Sequence, residues 1–160
     1  MSKSNFSTTR QERYLEDYVP GAIHEFGPIT ITEDEIIQFA KKFDPQVFHT
    51  DPIAAKETVY GGLIASGWHT CSLMARLIVA HYLPADQASL GGPGVDELRW
   101  HKPVRPGDQL SVRTTVHNVK PSSSKPDRGL LTYFCQMLNQ KNEVVASMMA
   151  LTFLRYRDRG

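Results

Sequence analysis

The segment that most constrains the fold is an apolar run from Ser66 or Gly67 to Leu83, just before Pro84. From position 68 it reads WHTCSLMARLIVAHYL, and Arg76 is its only formally charged side chain. A serine suits the N-cap of a helix and a proline cannot continue one, so the run predicts a single long α-helix. Because apolar side chains occur on nearly every side, we expect this helix to be buried.

The chain after the glycine-rich loop at residues 91–94 has the pattern of β-strands. The residues at 110, 112, 114 and 116 alternate with polar ones, the period of a half-buried strand. Strands are predicted over residues 95–101, 110–116, 130–138 and 144–156, and residues 139–143 join the last two as a hairpin. One buried helix followed by long antiparallel strands predicts an α+β, single hotdog fold, in which an antiparallel sheet wraps around a long central helix.

Shorter elements are predicted before the central helix. Residues 22–32 have strand character, and Pro28 within them favours an edge position or a bulge. Thr32 and Glu35 have the spacing of a capping box and predict a helix start. That helix should end near Phe43, because a residue that precedes proline, here Asp44, disfavours the α conformation.

The predicted helix after Thr32 is amphipathic, with Ile36, Ile37, Ala40 and Phe43 on its apolar face. A further short helix is expected after Asp51, as an insertion before the central helix. Asp51 would be its N-cap, and a proline follows at the first helical position.

Composition narrows the class of protein. The chain has 160 residues, 41% of them hydrophobic, and a formal net charge of +1. We therefore expect residues 1–160 to form one domain, with residues 1–19 as an N-terminal arm, and no nucleic acid or membrane partner. The two cysteines, Cys71 and Cys135, lie in apolar runs and are expected to be reduced. With no signal peptide visible, these features favour a cytoplasmic protein.

An acid and a base stand five residues apart, Asp44 and His49, each beside a residue that breaks regular structure. Taken alone, the pair is also consistent with a helix-ending aspartate and a loop histidine. Neither CxxC nor HExxH spacing occurs, so no metal site is expected.

Several segments together resemble the MaoC-like dehydratases, also described as (R)-specific enoyl-CoA hydratases. The segments that carry the resemblance are YLEDYVPG, ITITEDEIIQFAKKFDP, FDPQVFHTDPIAA, GGLIASGWHT, PVRPGDQL and LNQKNEVVASMMALTFL. The family often has Ser/Thr-Gly before the aspartate and Asn-Pro after it. Here Lys42-Phe43 precede Asp44, and Pro45-Gln46 follow it.

The resemblance implies reversible addition of water to a trans-2-enoyl thioester, giving a 3-hydroxyacyl thioester of (R) configuration. Asp44 and His49 match the family's acid–base pair, and the backbone N–H of Gly67 matches its oxyanion donor. Asp51 would support the site, although a helix cap is the simpler role, and Gly67 could serve only for packing. No cofactor is implied beyond the coenzyme A of the substrate.

Substrate binding is expected along the central helix, past Ser66, Trp68, Ser72 and Leu73, and bulky Trp68 suggests a restricted pocket. The partners implied are an acyl-CoA or acyl carrier protein thioester, as in fatty acid metabolism, and a second copy of the chain in a homodimer. A thioesterase and a non-catalytic acyl-thioester-binding module remain alternatives.

Overall fold

The computed structural model describes residues 6–157. It contains one antiparallel sheet of five strands and three α-helices, together with short 3-10 turns. In chain order these elements are β1 (Ile23–Thr30), α1 (Glu33–Phe43), α2 (Val47–Thr50), α3 (Gly67–His81), β2 (Gly94–Trp100), β3 (Gln109–Pro121), β4 (Arg128–Leu138) and β5 (Val144–Arg155).

The strands lie in the order β1-β3-β4-β5-β2, so the two strands that flank α3 in the chain form the two edges of the sheet. The hairpin between β4 and β5 closes with a bond from the Asn139 N–H to the Glu143 carbonyl. One face of α3, including Met74, Leu77 and Ile78, packs into the same core as the inward side chains of the strands. This is the predicted hotdog fold.

The local signals at the start of the chain are confirmed. The side chain of Thr32 accepts from the Glu35 N–H at 3.2 Å, and the Glu35 carboxylate accepts from the Thr32 N–H at 2.8 Å, which completes the capping box. Strand β1 is an edge strand, and its pairing with β3 is irregular between Phe26 and Ile29, around Pro28. The edge position of β1 and its irregular pairing both follow because proline has no N–H to donate to a neighbouring strand.

The expected burial of α3 on all sides is wrong. Its other face is open, and the exposed fractions of Trp68 and Val79 are both 56%. A single sheet can cover only one side of a helix, so an apolar surface remains in the single chain. The helix also ends at His81, two residues before the predicted end.

Phe43 is likewise not in the core, since 62% of its surface is exposed. It is the last residue of α1, where the chain turns away, and its ring packs on Phe39 with centroids 5.0 Å apart. Two other residues predicted on that apolar face, Ile36 and Ala40, are fully buried.

The insertion between α1 and α3 is more ordered around His49 than expected. His49 lies in the single-turn helix α2 and not in a loop. The helix predicted after Asp51 is a 3-10 turn, Ala54–Glu57, and the carboxylate of Asp51 accepts from the N–H groups of Ile53 and Ala54 at 2.9 and 3.0 Å. The side chain of Asp51 therefore caps this turn, but the N-cap position itself is held by Ile53 and not by Asp51 as predicted.

The described part of the N-terminal arm packs on the body through Leu15 and Tyr18, whose side chains are almost completely buried. The first five residues of the predicted arm lie outside the described residues. Cys71 and Cys135 are both free thiols. Within residues 6–157, no helix is both long and apolar enough to cross a bilayer.

Candidate active site

The structure brings Asp44 and His49 together. Asp44 is the C-cap of α1, and its Oδ2 lies 3.3 Å from Nε2 of His49, whose side chain is nearly buried. The other ring nitrogen of His49, Nδ1, lies 2.7 Å from the carbonyl oxygen of Ile64. A carbonyl can only accept, so Nδ1 carries the proton, and in the neutral ring Nε2 is the unprotonated nitrogen.

Two hydrogen-bond acceptors, Nε2 of His49 and the carboxylate of Asp44, therefore lie next to each other. The lone pair of Nε2 and the carboxylate of Asp44 cannot bond to each other while the ring is neutral. A water molecule can donate one hydrogen to each of them and point its oxygen outward. The same pair can instead share one proton when the ring is charged, so it can both accept and return a proton.

Neighbouring side chains hold the carboxylate of Asp44 in place. Oδ2 accepts from the hydroxyl of Ser66 at 2.7 Å, and Oδ1 accepts from the amide of Gln46 at 2.8 Å. Burial alone would raise the pKa of the Asp44 carboxyl, but the hydrogen bonds from Gln46 and Ser66 and the nearby charge of His49 lower it overall. Asp44 is therefore an ionised proton acceptor at neutral pH.

Ser66 links this pair to the start of α3. Its hydroxyl accepts from the Trp68 N–H at 3.3 Å, so the predicted helix cap is confirmed. It is also completely buried and donates to Asp44, which the cap alone does not require. Ser66 thus caps the start of α3 and also holds the carboxylate of Asp44 by a hydrogen bond.

Gly67 is the first residue of α3, and its N–H points out of the first helical turn, where helices leave donors unpaired. Among residues 6–157 no backbone carbonyl accepts from this N–H. A carbonyl or oxyanion placed there would gain both a hydrogen bond and the positive end of the helix dipole. Its own carbonyl accepts from Nε1 of Trp100 at 3.0 Å.

These groups line a cavity of about 580 Å³. It contains Asp44, His49, Gly67 and Trp68 as predicted. It then extends toward residues 100–104, at the junction of β2 and β3, and touches α3 only in its first turn, at Gly67, Trp68 and Thr70. Ser66, Ser72 and Leu73 are outside the lining, and their predicted contact with substrate stays a prediction.

The position of Ser72 on α3 explains why this residue lies outside the lining. The hydroxyl of Ser72 donates to the carbonyl of Trp68 one turn earlier, and the residue is exposed on the open face of the helix. Asp51 is also outside the lining, and the bonds of its carboxylate go to the 3-10 turn that it caps. Within the described residues, no three His, Cys, Asp or Glu side chains are placed to hold a metal ion together.

Sequence reasoning missed several lining residues, among them Gln46, Tyr60, Trp100 and His101. Gln46 could have been found, because it stands only two residues after the predicted acid. Trp100 and His101 lie on the far edge strand and its continuation. Their approach to α3 depends on the fold and has no local signal in the sequence.

Comparison with known proteins identifies the family of this chain. The family model for the MaoC like domain matches residues 19–132. The chain belongs to the MaoC-like domain family. A crystal structure of a MaoC-like dehydratase from Rhodospirillum rubrum is similar to this MaoC-like chain, with a TM-score of 0.84 and 42% identity. That similarity covers 91% of this chain and 98% of the other.

More distant relatives agree on the family and the fold. Protein MaoC of Klebsiella aerogenes is 33% identical over 105 residues, which are 64% of this chain but only 30% of that protein. The unliganded (R)-hydratase from Pseudomonas aeruginosa has a TM-score of 0.72 at 23% identity, over 90% of this chain and 86% of that one, and so shows the shared fold alone. Family membership supports a hydratase-type enzyme.

Proposed function

We propose that this MaoC-like protein adds water reversibly to the double bond of a trans-2-enoyl thioester. The observation that carries the proposal is the convergence of Asp44 Oδ2 and His49 Nε2, 3.3 Å apart, in a cavity that Gly67 also lines. Hydration needs a bound water, a proton acceptor and a site for the negative charge that builds on the thioester oxygen. These three groups supply them within one cavity.

The proposed reaction balances without an added reagent. The oxygen of the water forms a bond to the β-carbon, and one of its protons passes to the pair formed by Asp44 and His49. The pair then returns a proton to the α-carbon. Meanwhile the thioester oxygen gains electron density, and the N–H of Gly67 stabilises it at the helix start. The chain's own residues perform each step, so no cofactor is required.

The product proposed is the (R)-3-hydroxyacyl thioester, on either coenzyme A or an acyl carrier protein. This assignment rests on the family and on the (R)-hydratase whose fold the chain shares. Lys102, His101 and Gln46 give the cavity a polar rim suited to the polar arm that carries the acyl group. The acyl end would meet the apolar lining, which includes Phe48, Ile64 and Val145.

A direct assay tests the proposal. With crotonyl-CoA as the substrate, hydration removes the absorbance of the conjugated enoyl group and leaves the thioester intact. We expect this loss without release of free thiol, and a product oxidised by an (R)-specific 3-hydroxyacyl-CoA dehydrogenase. Release of thiol would instead indicate a thioesterase, and no reaction with retained binding would indicate a non-catalytic module. Either result would refute the proposal.

We also propose that the working form is a homodimer. Strand β2 is a sheet edge that pairs only with β5 within residues 6–157, and nearly all of its residues are exposed. The exposed fractions of Val95 and Trp100 on this strand are 47% and 48%, close to the open face of α3. An unpaired edge that also exposes large apolar side chains is commonly covered by another chain. Light scattering at micromolar concentration should give twice the monomer mass, and a monomer would contradict this.

A further inference from the structure

The two tryptophans of the chain, Trp68 and Trp100, meet at the start of α3. Their rings are edge to face, with centroids 5.2 Å apart and an interplanar angle of 83°. Both line the cavity beside the N–H of Gly67. They come from different elements, α3 and β2, and a hydrogen bond from Nε1 of Trp100 to the Gly67 carbonyl joins those elements.

The indole of Trp100 rests directly on the α-carbon of Gly67. A Cβ atom at position 67 would overlap Cε2 of the indole and lie 2.6 Å from both Cδ2 and Nε1. No larger residue fits while the indole is there. The space beside the Gly67 α-carbon is therefore filled by Trp100.

This contact makes the Trp100 indole part of the cavity wall beside Gly67. A thioester oxygen that bonds to the Gly67 N–H brings the first acyl carbons close to the indole. Gly67 lies against one part of the Trp100 ring and Trp68 against another. The cavity of about 580 Å³ must also hold the reacting water and part of the carrier arm.

We propose that Trp100 is the specificity-determining residue of this site and restricts it to short 2-enoyl thioesters. The proposal rests on the hydratase function proposed above and adds the substrate class. It predicts that a shorter side chain at position 100 opens room for a longer acyl group. It also predicts that position 67 must be glycine because of Trp100.

The first prediction is tested by measuring the selectivity between a long and a short substrate. The ratio of kcat/KM for trans-2-octenoyl-CoA to that for crotonyl-CoA should rise at least about tenfold in Trp100→Ala, the scale of added room for hydrophobic groups. Trp100→Phe should give an intermediate ratio. Val95→Ala is the matched control, because Val95 is a half-exposed residue of the same strand outside the cavity lining. An unchanged ratio in a folded Trp100→Ala dimer would overturn the proposal.

Binding separates this proposal from the proposed function. Both tryptophans lie in the cavity, so their fluorescence reports its occupancy without any reaction, and Trp68 remains as the reporter in Trp100→Ala. Butyryl-CoA and octanoyl-CoA have no double bond to hydrate. The wild type should bind butyryl-CoA more tightly, and Trp100→Ala should remove that preference. This result together with no hydration of crotonyl-CoA would refute only the function, while hydration with no change in preference would refute only the role of Trp100.

A double mutant tests the contact with Gly67. Gly67→Ala should lower kcat/KM for crotonyl-CoA in the wild type, because the new methyl group displaces the indole. In a Trp100→Ala background the same change should cost at least about tenfold less, since the two positions are in direct contact. If Gly67→Ala lowers kcat/KM equally in both backgrounds, the glycine is needed for the approach of the substrate. That result would overturn the role proposed for Trp100.

Discussion

Replacing Ser66 by alanine removes two hydrogen bonds that join the helix start to the acid. The cap on the Trp68 N–H, at 3.3 Å, is worth about 1 kcal/mol. The bond to the carboxylate of Asp44, at 2.7 Å, adds about 1.5–3 kcal/mol because its acceptor is charged. We therefore expect Ser66→Ala to lower the free energy of unfolding by about 2.5–4 kcal/mol.

The same change should alter the pH dependence of catalysis. The Ser66 hydroxyl helps to hold the pKa of Asp44 below its ordinary value, so removing it raises that pKa. The acid limb of the profile of kcat/KM should move to higher pH, and activity should be lost first on the acid side. The folded-state pKa of Asp44 is depressed, so its ionisation stabilises the wild type above the ordinary pKa, and that contribution is lost as the pH falls through the folded value.

Urea denaturation and a pH–rate profile measure the two effects. Thr32→Ala is the matched control, because Thr32 caps α1 through the Glu35 N–H and lies outside the cavity lining. It should cost about 1 kcal/mol and leave the pH profile unchanged. If Ser66→Ala loses no more stability than this control and keeps the wild-type profile, then the bond to Asp44 contributes nothing and the reasoning is wrong.

Asp44→Asn and His49→Gln should each lower kcat for crotonyl-CoA at least about 10²-fold, and the double mutant should lose much less than the product of the two effects, because the pair acts on one water. Near wild-type rates in folded variants would refute the site. A second prediction concerns stability in acid. His24 is buried, and burial, aided by the charge of Arg13, lowers its pKa to about 4. Between that value and its ordinary pKa the unfolded chain binds the extra proton, so stability falls as the pH falls, by at most about 3 kcal/mol. His24→Phe should flatten this dependence in urea melts at several pH values, and an unchanged slope would contradict the assignment.

Much of the fold follows from local patterns that act over a few residues. The capping box at Thr32 and the proline after Asp44 set both ends of α1 through backbone geometry that any fold must satisfy. The position of Asp44 at a helix end follows from the same rule. The strand periods likewise predict which side chains face inward, whatever the order of the strands in the sheet.

The wrong expectations concern contacts between distant segments. Burial of α3 was predicted from its own composition, but its open face depends on how many layers the chain can build around it. The path of the acyl group along Ser72 and Leu73 was predicted from the sequence of the helix alone. The structure turns the cavity toward Trp100, which is 33 positions from Gly67 in the chain, and no period or cap in either segment encodes that contact.

The placement of Gly67 shows why a glycine in a family motif can have more than one physical cause. A donor N–H at a helix start needs no glycine, since every residue except proline supplies that group. What requires glycine here is the indole that occupies the position of a side chain. The proposed oxyanion donor, the proposed wall of the cavity and the hydrogen bond between α3 and β2 thus all involve Gly67. A change at Trp100 should therefore affect selectivity and the geometry of the donor together, whereas a change at Ser66 should affect the acid and the helix cap.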